Sequence, residues 1–394
     1  MTSLVWSIFC RVIDNYGDAG VCIRLAKDLA SRGQRIRLWI DEPEILKWMA
    51  PNLDPHVEIN NWPSAALPHA FEVDVVIEAF GCTVPDFVQE KIAQSSSAKP
   101  KQAKLGAQAD RNLHHQRIQW INLEYLSAES YAAQNHGLHS PVLFGSGQGA
   151  IKWFYYPGFE RATGGLILES KMRQRIKSSQ ATQPFETSSF QVGLFCYPQA
   201  PVVELLAELE KQNQQSGTSC SLHVAAGQVQ SELRKESLPF LKNSAATKNE
   251  RRLTIKYLPH ISQEEFDEFL WSNSINFVRG EDSLIRAIWS GKPWVWQIYP
   301  QEEGIHLEKL NALLDLLDAP AFVKKIHWSW NTDSNSRANM PSFELNLPEL
   351  RDKEKWIDWQ EWCLATRSNL LELRDLSDQL LYFVLTKRQK TVEY

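Results

Sequence analysis

The sequence predicts an α/β fold of two Rossmann-like domains facing each other across a cleft. Three observations carry this. The chain has 394 residues, too many for one ordinary domain and suited to two. Short apolar runs alternate with segments of helical period, which implies parallel, doubly wound sheets. That alternation occurs twice, before and after the polar stretch "SKMRQRIKSSQATQPFETSS" (170–189). The expected division is therefore 1–184 and 185–364, with the C-terminal helices, about 365–394, as candidates to pack back on the first domain.

The first alternation starts with "LVWSIFCRVI" as a strand. In "VCIRLAKDLASRG", Val21, Ile23, Leu25, Ala26 and Leu29 recur at near-helical spacing and Gly33 serves as a C-cap. "QRIRLWID" is the next strand and "DEPEILKWMA" opens a helix; "HVEINNW", "VDVVIEAF" and "IQWINLEYL" are three more strands. The Ser/Lys/Ala-rich 94–112 is expected as an exposed insertion. Residues 151–169 are aromatic and glycine-punctuated, hence ordered without being a clean helix or strand. The second alternation runs through strands in "FQVGLFCYP", "SCSLHVAAG", "RLTIKYLP", "INFVRG" and "PWVWQIYP". Helices are expected in "PVVELLAELEKQ", "SQEEFDEFLWSN", "DSLIRAIWSG" and "IHLEKLNALLDLL", and long helical patterns in "KEKWIDWQEWCLA" and "SNLLELRDLSDQLLYFVLTKR".

Composition narrows the class. The net charge of −5 argues against bulk affinity for nucleic acid. No apolar run is long enough to span a membrane, and the first residues lack a signal-peptide pattern, so a cytoplasmic location is expected. Six cysteines are scattered without a Cys-x-x-Cys pair or zinc spacing, as for buried free thiols in a reducing compartment.

Three stretches could carry chemistry. "GSGQGA" (145–150) matches a dinucleotide fingerprint, with Glu169 about twenty residues on. Pro157 and Gly158 follow too soon for the helix that would hold a pyrophosphate. In "INFVRGEDSLIRAIWSG" a strand ends at Arg279-Gly280 and a helix begins near Asp282 or Ser283. Its unpaired N–H groups and dipole would attract a diphosphate, with Arg279 as a fork-shaped partner. Glu281 and Asp282 would be repelled by phosphates and suit sugar hydroxyls or backbone N–H groups; as ordinary first-turn residues they also need no ligand. In "RVIDNYGDAG", Asp14 and Asp18 stand where a phosphate loop would lie, so the turn fits a cation such as an arginine or amine. An Asx turn at Asp14 and Asn15, with Asp18 as helix cap, is the local alternative. Tyr197 ends the second half's first strand, placed either to stack on a nucleobase or to pack in the core.

Together, "DNYGDAGVCIRLAKDLA", "INLEYLSAE", "FYYPGFERATGGL" and "FVRGEDSLIRAIWSGKPWVWQIYPQ" resemble the protein-arginine rhamnosyltransferases of elongation factor P, the EarP family, over about residues 4–313. The resemblance implies a GT-B glycosyltransferase fold and inverting, metal-independent transfer of rhamnose from dTDP-β-L-rhamnose to an arginine of elongation factor P. No cofactor, nucleic acid or membrane is implied. Asp14, Asp18 and Glu281 would be catalytic. Asn15, Tyr16, Gly17, Tyr197, Leu258, Gln263, Phe266, Arg279, Gly280, Asp282 and Ser283 would bind the donor, with Gln263, Phe266 and Tyr197 around the thymine and His260 and Ile261 where the pattern varies. Residues 94–112, 144–150 and roughly 209–250 look longer than the family pattern, as surface insertions would. A GT-B enzyme with a small-molecule or lipid-linked acceptor, and a non-catalytic nucleotide-sugar module, are the rival readings.

Overall fold

A computed structural model of the chain describes residues 3–13, 16–63, 72–97, 117–179, 189–216, 219–235, 253–300, 305–333, 336–337, 339–340 and 343–390. The chain divides into two compact units, Met1–Glu169 with Leu373–Tyr394, and Ser170–Glu372. Residues 170–179 thus lie with the second unit.

In the first unit, strands β1 (Val5–Cys10), β2 (Arg35–Ile40), β3 (Val57–Asn61), β4 (Val75–Ala79), β5 (Gln119–Leu123), β6 (His139–Pro141) and β7 (Ile151–Tyr155) form one sheet in the order β3-β2-β1-β4-β5-β7-β6. All pairs are parallel except β6–β7. The central strands β1, β4 and β5 are buried throughout, as strands covered on both faces must be. Helices α1 (Gly17–Ser31), α2 (Glu44–Met49), α3 (Asp86–Ser97) and α4 (Ser130–Asn135) connect them.

Two expectations fail here. Residues 151–155 are a regular strand; Tyr and Trp suit the pleat, and "GSGQGA" is the link of the β6–β7 hairpin rather than a phosphate loop. Residues 144–150 lie mostly at the surface, with Phe144, Gly145, Gln148 and Gly149 exposed, and are anchored at Ala150, which is buried, and at Gly147, where an added Cβ would approach the Trp120 ring to 3.1 Å. Residues 94–97 finish α3. Ser95, Ser96 and Ser97 hydroxyls donate to carbonyls one turn back, and Ser95 Oγ also accepts from Ile118 N–H, which anchors the start of β5. The remainder, 98–112, lies outside the described residues.

The second unit contains α5 (Ser170–Ser178), β8 (Ser189–Leu194), α6 (Val202–Ser216), β9 (Ser219–Val224), α7 (Gln228–Lys235), β10 (Thr254–Tyr257), α8 (Gln263–Ser272), β11 (Ile275–Arg279), α9 (Glu281–Ser290), β12 (Trp294–Gln297), α10 (Ile305–Leu316), α11 (Ala321–Asn331) and α12 (Lys353–Leu371). Its sheet is wholly parallel, ordered β10-β9-β8-β11-β12. The expected insertion over 209–250 is corrected for its first part. Residues 209–235 supply the end of α6, the internal strand β9 and α7, with Leu209, Cys220, Leu222 and Val224 buried; 236–250 lie outside the described residues.

A final helix, α13 (Leu376–Lys390), belongs to the first unit. Leu376, Leu380 and Val384 join the core formed by β1 and α1. Leu376 N–H donates to Leu166 O at 2.9 Å, and Arg32 bridges Asp28 and Asp375 at 2.9 and 2.8 Å. Gly165 explains part of "FYYPGFERATGGL": its φ is +76°, and a Cβ there would lie 2.2 Å from Arg374 O. Only glycine admits that approach. The six cysteines are all free and buried. Among the described residues no helix is long and apolar enough to cross a membrane.

Candidate active site

The parallel part of each sheet reverses its strand order at one point, between β1 and β4 in the first unit and between β8 and β11 in the second. Open α/β sheets bind ligands beyond the carboxyl ends of strands at such a switch point. The two turns singled out from sequence follow β1 and β11. Both therefore stand at the position where the fold itself makes a crevice.

In the first unit, Asp14 and Asn15 lie outside the described residues. Tyr16 is the N-cap of α1 and gives no side-chain cap. Asp18 is not the N-cap. It occupies the first turn of α1, is 4% exposed, and its Oδ2 accepts from Ile13 N–H at 2.9 Å. The carboxylate thus ties the loop leaving β1 to the helix that follows. Burial, Cys10, Cys82 and Asp18 together hold the Cys22 thiol well above its usual range. Across the switch point, Glu78, the last residue but one of β4, lies beside Phe9 of β1 and is buried, accepting from Val84 N–H and pairing with Lys152 at 2.5 Å. Phe80 has a φ of 58°, an unusual value for an aromatic residue. Its ring stacks on half-exposed Tyr125 at 4.8 Å. Next to Tyr125, burial raises the Glu124 carboxyl above its ordinary range despite an Asn122 hydrogen bond.

In the second unit, α9 starts at Glu281, a residue earlier than expected, with Gly280 as N-cap at φ 66°, ψ −179°. That region is open essentially to glycine alone. Glu281 and Asp282 occupy the first turn, and buried Ser283 donates its hydroxyl to Arg279 O. The Arg279 guanidinium lies 4.7 Å over the Phe195 ring and 4.5 Å over Tyr197. Tyr197 is 4% exposed, so its ring packs against arginine rather than offering an open stacking face. Phe266 meets Phe195 at 5.5 Å, and buried Gln263 begins α8 behind the Ser262 capping box. The Leu258 carbonyl accepts from Gln230 Nε2 at 2.7 Å; His260 is exposed. Arg279 to Ser283 therefore form one cluster with Tyr197, and Phe266 joins it through Phe195, a residue the sequence reading had not assigned.

Also unassigned were Trp296 and Gln297. Trp296 Nε1–H donates to Gly280 O at 2.9 Å, and Gln297 Oε1 accepts from Tyr197 N–H at 2.7 Å. Their place at the carboxyl end of a strand beside the switch was the available signal. Among the described residues, no three His, Cys, Asp or Glu converge as a metal-binding group.

Two α/β units built on largely parallel sheets define the GT-B fold of glycosyltransferases. The fold matches a solved structure described as the structural basis for EarP-mediated arginine glycosylation of translation elongation factor EF-P, with a TM-score of 0.55 at 23% identity over 98% of this chain and 99% of that one. It also matches Arabidopsis thaliana UGT89C1 complexed with quercetin, with a TM-score of 0.53 at 11% identity over 98% and 99% of the two chains. Residues 6–385 match the family model of the elongation-factor P (EF-P) rhamnosyltransferase EarP, and the chain belongs to that family. It is 34% identical to the protein-arginine rhamnosyltransferase of Pseudomonas putida over 96% of this chain and 98% of that one. It is also 34% identical to that of Pseudomonas aeruginosa over 90% and 94%.

Proposed function

We propose that the enzyme transfers L-rhamnose from dTDP-β-L-rhamnose, with inversion, to an arginine side chain of elongation factor P. The observation that carries this is the opposite chemistry of the two switch-point turns. One presents a buried carboxylate, Asp18, and the other a guanidinium, Arg279, beside the start of α9. A cationic acceptor suits the first and an anionic donor the second.

The acceptor is a poor nucleophile while it keeps its charge. A guanidinium titrates above about 12 and a carboxylate near 4, so full proton transfer beforehand would cost roughly 11 kcal/mol. In our reading Asp14 and Asp18 hold the guanidinium by charge-assisted hydrogen bonds and draw its charge away from the attacking nitrogen. That nitrogen forms a bond to the anomeric carbon as the bond to the diphosphate oxygen breaks. The nitrogen's proton passes to Asp18 during this step, as general-base catalysis requires. The leaving dTDP takes the bonding electron pair, and Arg279 with the α9 N-terminus stabilises it, without a metal. Attack from the face opposite the leaving group converts the β donor to an α-linked product. Glu281 supports catalysis beside the sugar; Gly280, Asp282 and Ser283 hold the diphosphate and sugar. Gln263, Phe266 and the Leu258 main chain take the thymine, Asn15, Tyr16 and Gly17 complete the donor contacts, and Tyr197 acts by bracing Arg279.

Co-expression with elongation factor P followed by intact-protein and peptide mass spectrometry tests this. One deoxyhexose on one arginine is expected; unmodified factor in the presence of active enzyme and donor overturns it.

A further inference from the structure

We propose that Trp296, Gln297 and Asn331 are positioning residues that fix both donor-side turns from below, and that Trp296 sets the orientation of the Gly280–Glu281 peptide. The proposal rests on the donor-binding reading of the Arg279–Ser283 turn.

The three residues form one buried unit, being 7%, 3% and 8% exposed. Asn331 ends α11 and uses its amide on the backbone at the end of β12. Its Nδ2 donates to Trp296 O at 2.8 Å and its Oδ1 accepts from Ile298 N–H at 3.0 Å. The main chain on either side of Gln297 is thereby held by one side chain. From this fixed point two bonds run outward. The Gln297 amide oxygen takes Tyr197 N–H, and the Trp296 indole reaches the Gly280 carbonyl. Strand register agrees, since Trp296 lies opposite Val278 and Gln297 opposite Arg279.

The consequence follows from peptide geometry. A trans peptide is planar, so its C=O and the next N–H point in opposite directions. With the Gly280 carbonyl turned down to Trp296, the Glu281 N–H is turned up, away from the strand. Gly280 occupies a backbone region that costs other residues about 1–3 kcal/mol and that surrounding contacts must hold in place. Trp296 supplies one such contact. Gln297 does the corresponding work for Tyr197, whose ring in turn carries the Arg279 guanidinium. The cation and the helix start thus share one support.

Steady-state kinetics and calorimetric dTDP binding on the full chain test this with Trp296→Phe, which keeps the ring and removes the N–H, and Gln297→Leu, which removes the acceptor. A hydrogen bond of ordinary net strength corresponds to about a 2- to 12-fold change. The expected result for each is a rise of that size in donor KM and in dTDP Kd with the acceptor KM unchanged, alongside the modest fall in thermal midpoint that one stranded buried backbone group brings. Unchanged donor KM and Kd in both variants overturns the proposal. So does a lowered thermal midpoint with unaltered KM values, which would mark a merely structural role. If the wild-type enzyme itself binds no dTDP, the donor-site reading falls, and this inference with it.

Discussion

Replacing Asp18 by asparagine separates two things the carboxylate does. Its Oδ2 accepts from Ile13 N–H at 2.9 Å, and an amide oxygen can accept the same bond. Geometry should survive, while the charge and the basic site are lost. A positioned general base contributes about 10²–10⁴ in rate, or roughly 2.7–5.5 kcal/mol of barrier. Asp18→Ala goes further, removing the acceptor of the Ile13 N–H as well, at a cost of about 0.5–1.5 kcal/mol of stability. The assay is single-turnover rhamnosylation of elongation factor P followed by mass spectrometry, with dTDP binding and urea denaturation measured in parallel. For the asparagine variant we expect the single-turnover rate lowered at least about 100-fold, dTDP affinity unchanged and stability close to wild type. The alanine variant should be as slow and measurably less stable. Turnover of Asp18→Asn within about threefold of wild type would refute the base assignment and leave Asp18 as a clamp between loop and helix.

Other outcomes follow from features already described. His327 is fully buried, with its pKa lowered by burial from 6.5 to about 4; the unfolded chain binds the extra proton, so stability present above pH 6.5 falls as pH drops toward 4, by up to about 3 kcal/mol. Urea denaturation of wild type minus His327→Gln across that window should show this slope, and a flat difference contradicts it. Gly165→Ala forces a Cβ toward Arg374 O at a positive φ and should cost roughly 2–5 kcal/mol; a loss under about 1 kcal/mol in chemical denaturation would show that the α13 junction gives way easily. EDTA should leave turnover unchanged, whereas loss restored by magnesium would require a metal-bound leaving group.

Much of this architecture was legible in the sequence, because parallel strands buried on both faces read as dense apolar runs. The β1 and β11 strands and the helices after them were readable for that reason, as were the turns that follow. The misread parts depend on partners distant in the chain. β7 is aromatic and leads into Pro157 and Gly158, and its identity as a strand rests on pairing with β5 and β6. The serines closing α3 resemble a linker until the bond from Ile118 N–H to Ser95 Oγ is seen. The pattern "SNLLELRDLSDQLLYFVLTKR" reads as one helix, yet it breaks at 372–375 between α12 and α13. At the site, the charged residues were visible as a motif. Their supports were not, since nothing local in "WVWQIYP" says that an indole N–H will meet Gly280 or that a glutamine will meet Tyr197.

The return of α13 to the first unit sets an order on synthesis. Ser170–Glu372 is continuous in sequence and can close its core as soon as that stretch has left the ribosome. The core around α1 must wait for Leu376, Leu380 and Val384, although its first strand emerges earliest. Until then the flank of α1 that these residues cover stays open, and Arg32 lacks Asp375. The unit that carries Asp18 is thus made first and finished last, so a pause late in translation would expose that unit to chaperones rather than Ser170–Glu372.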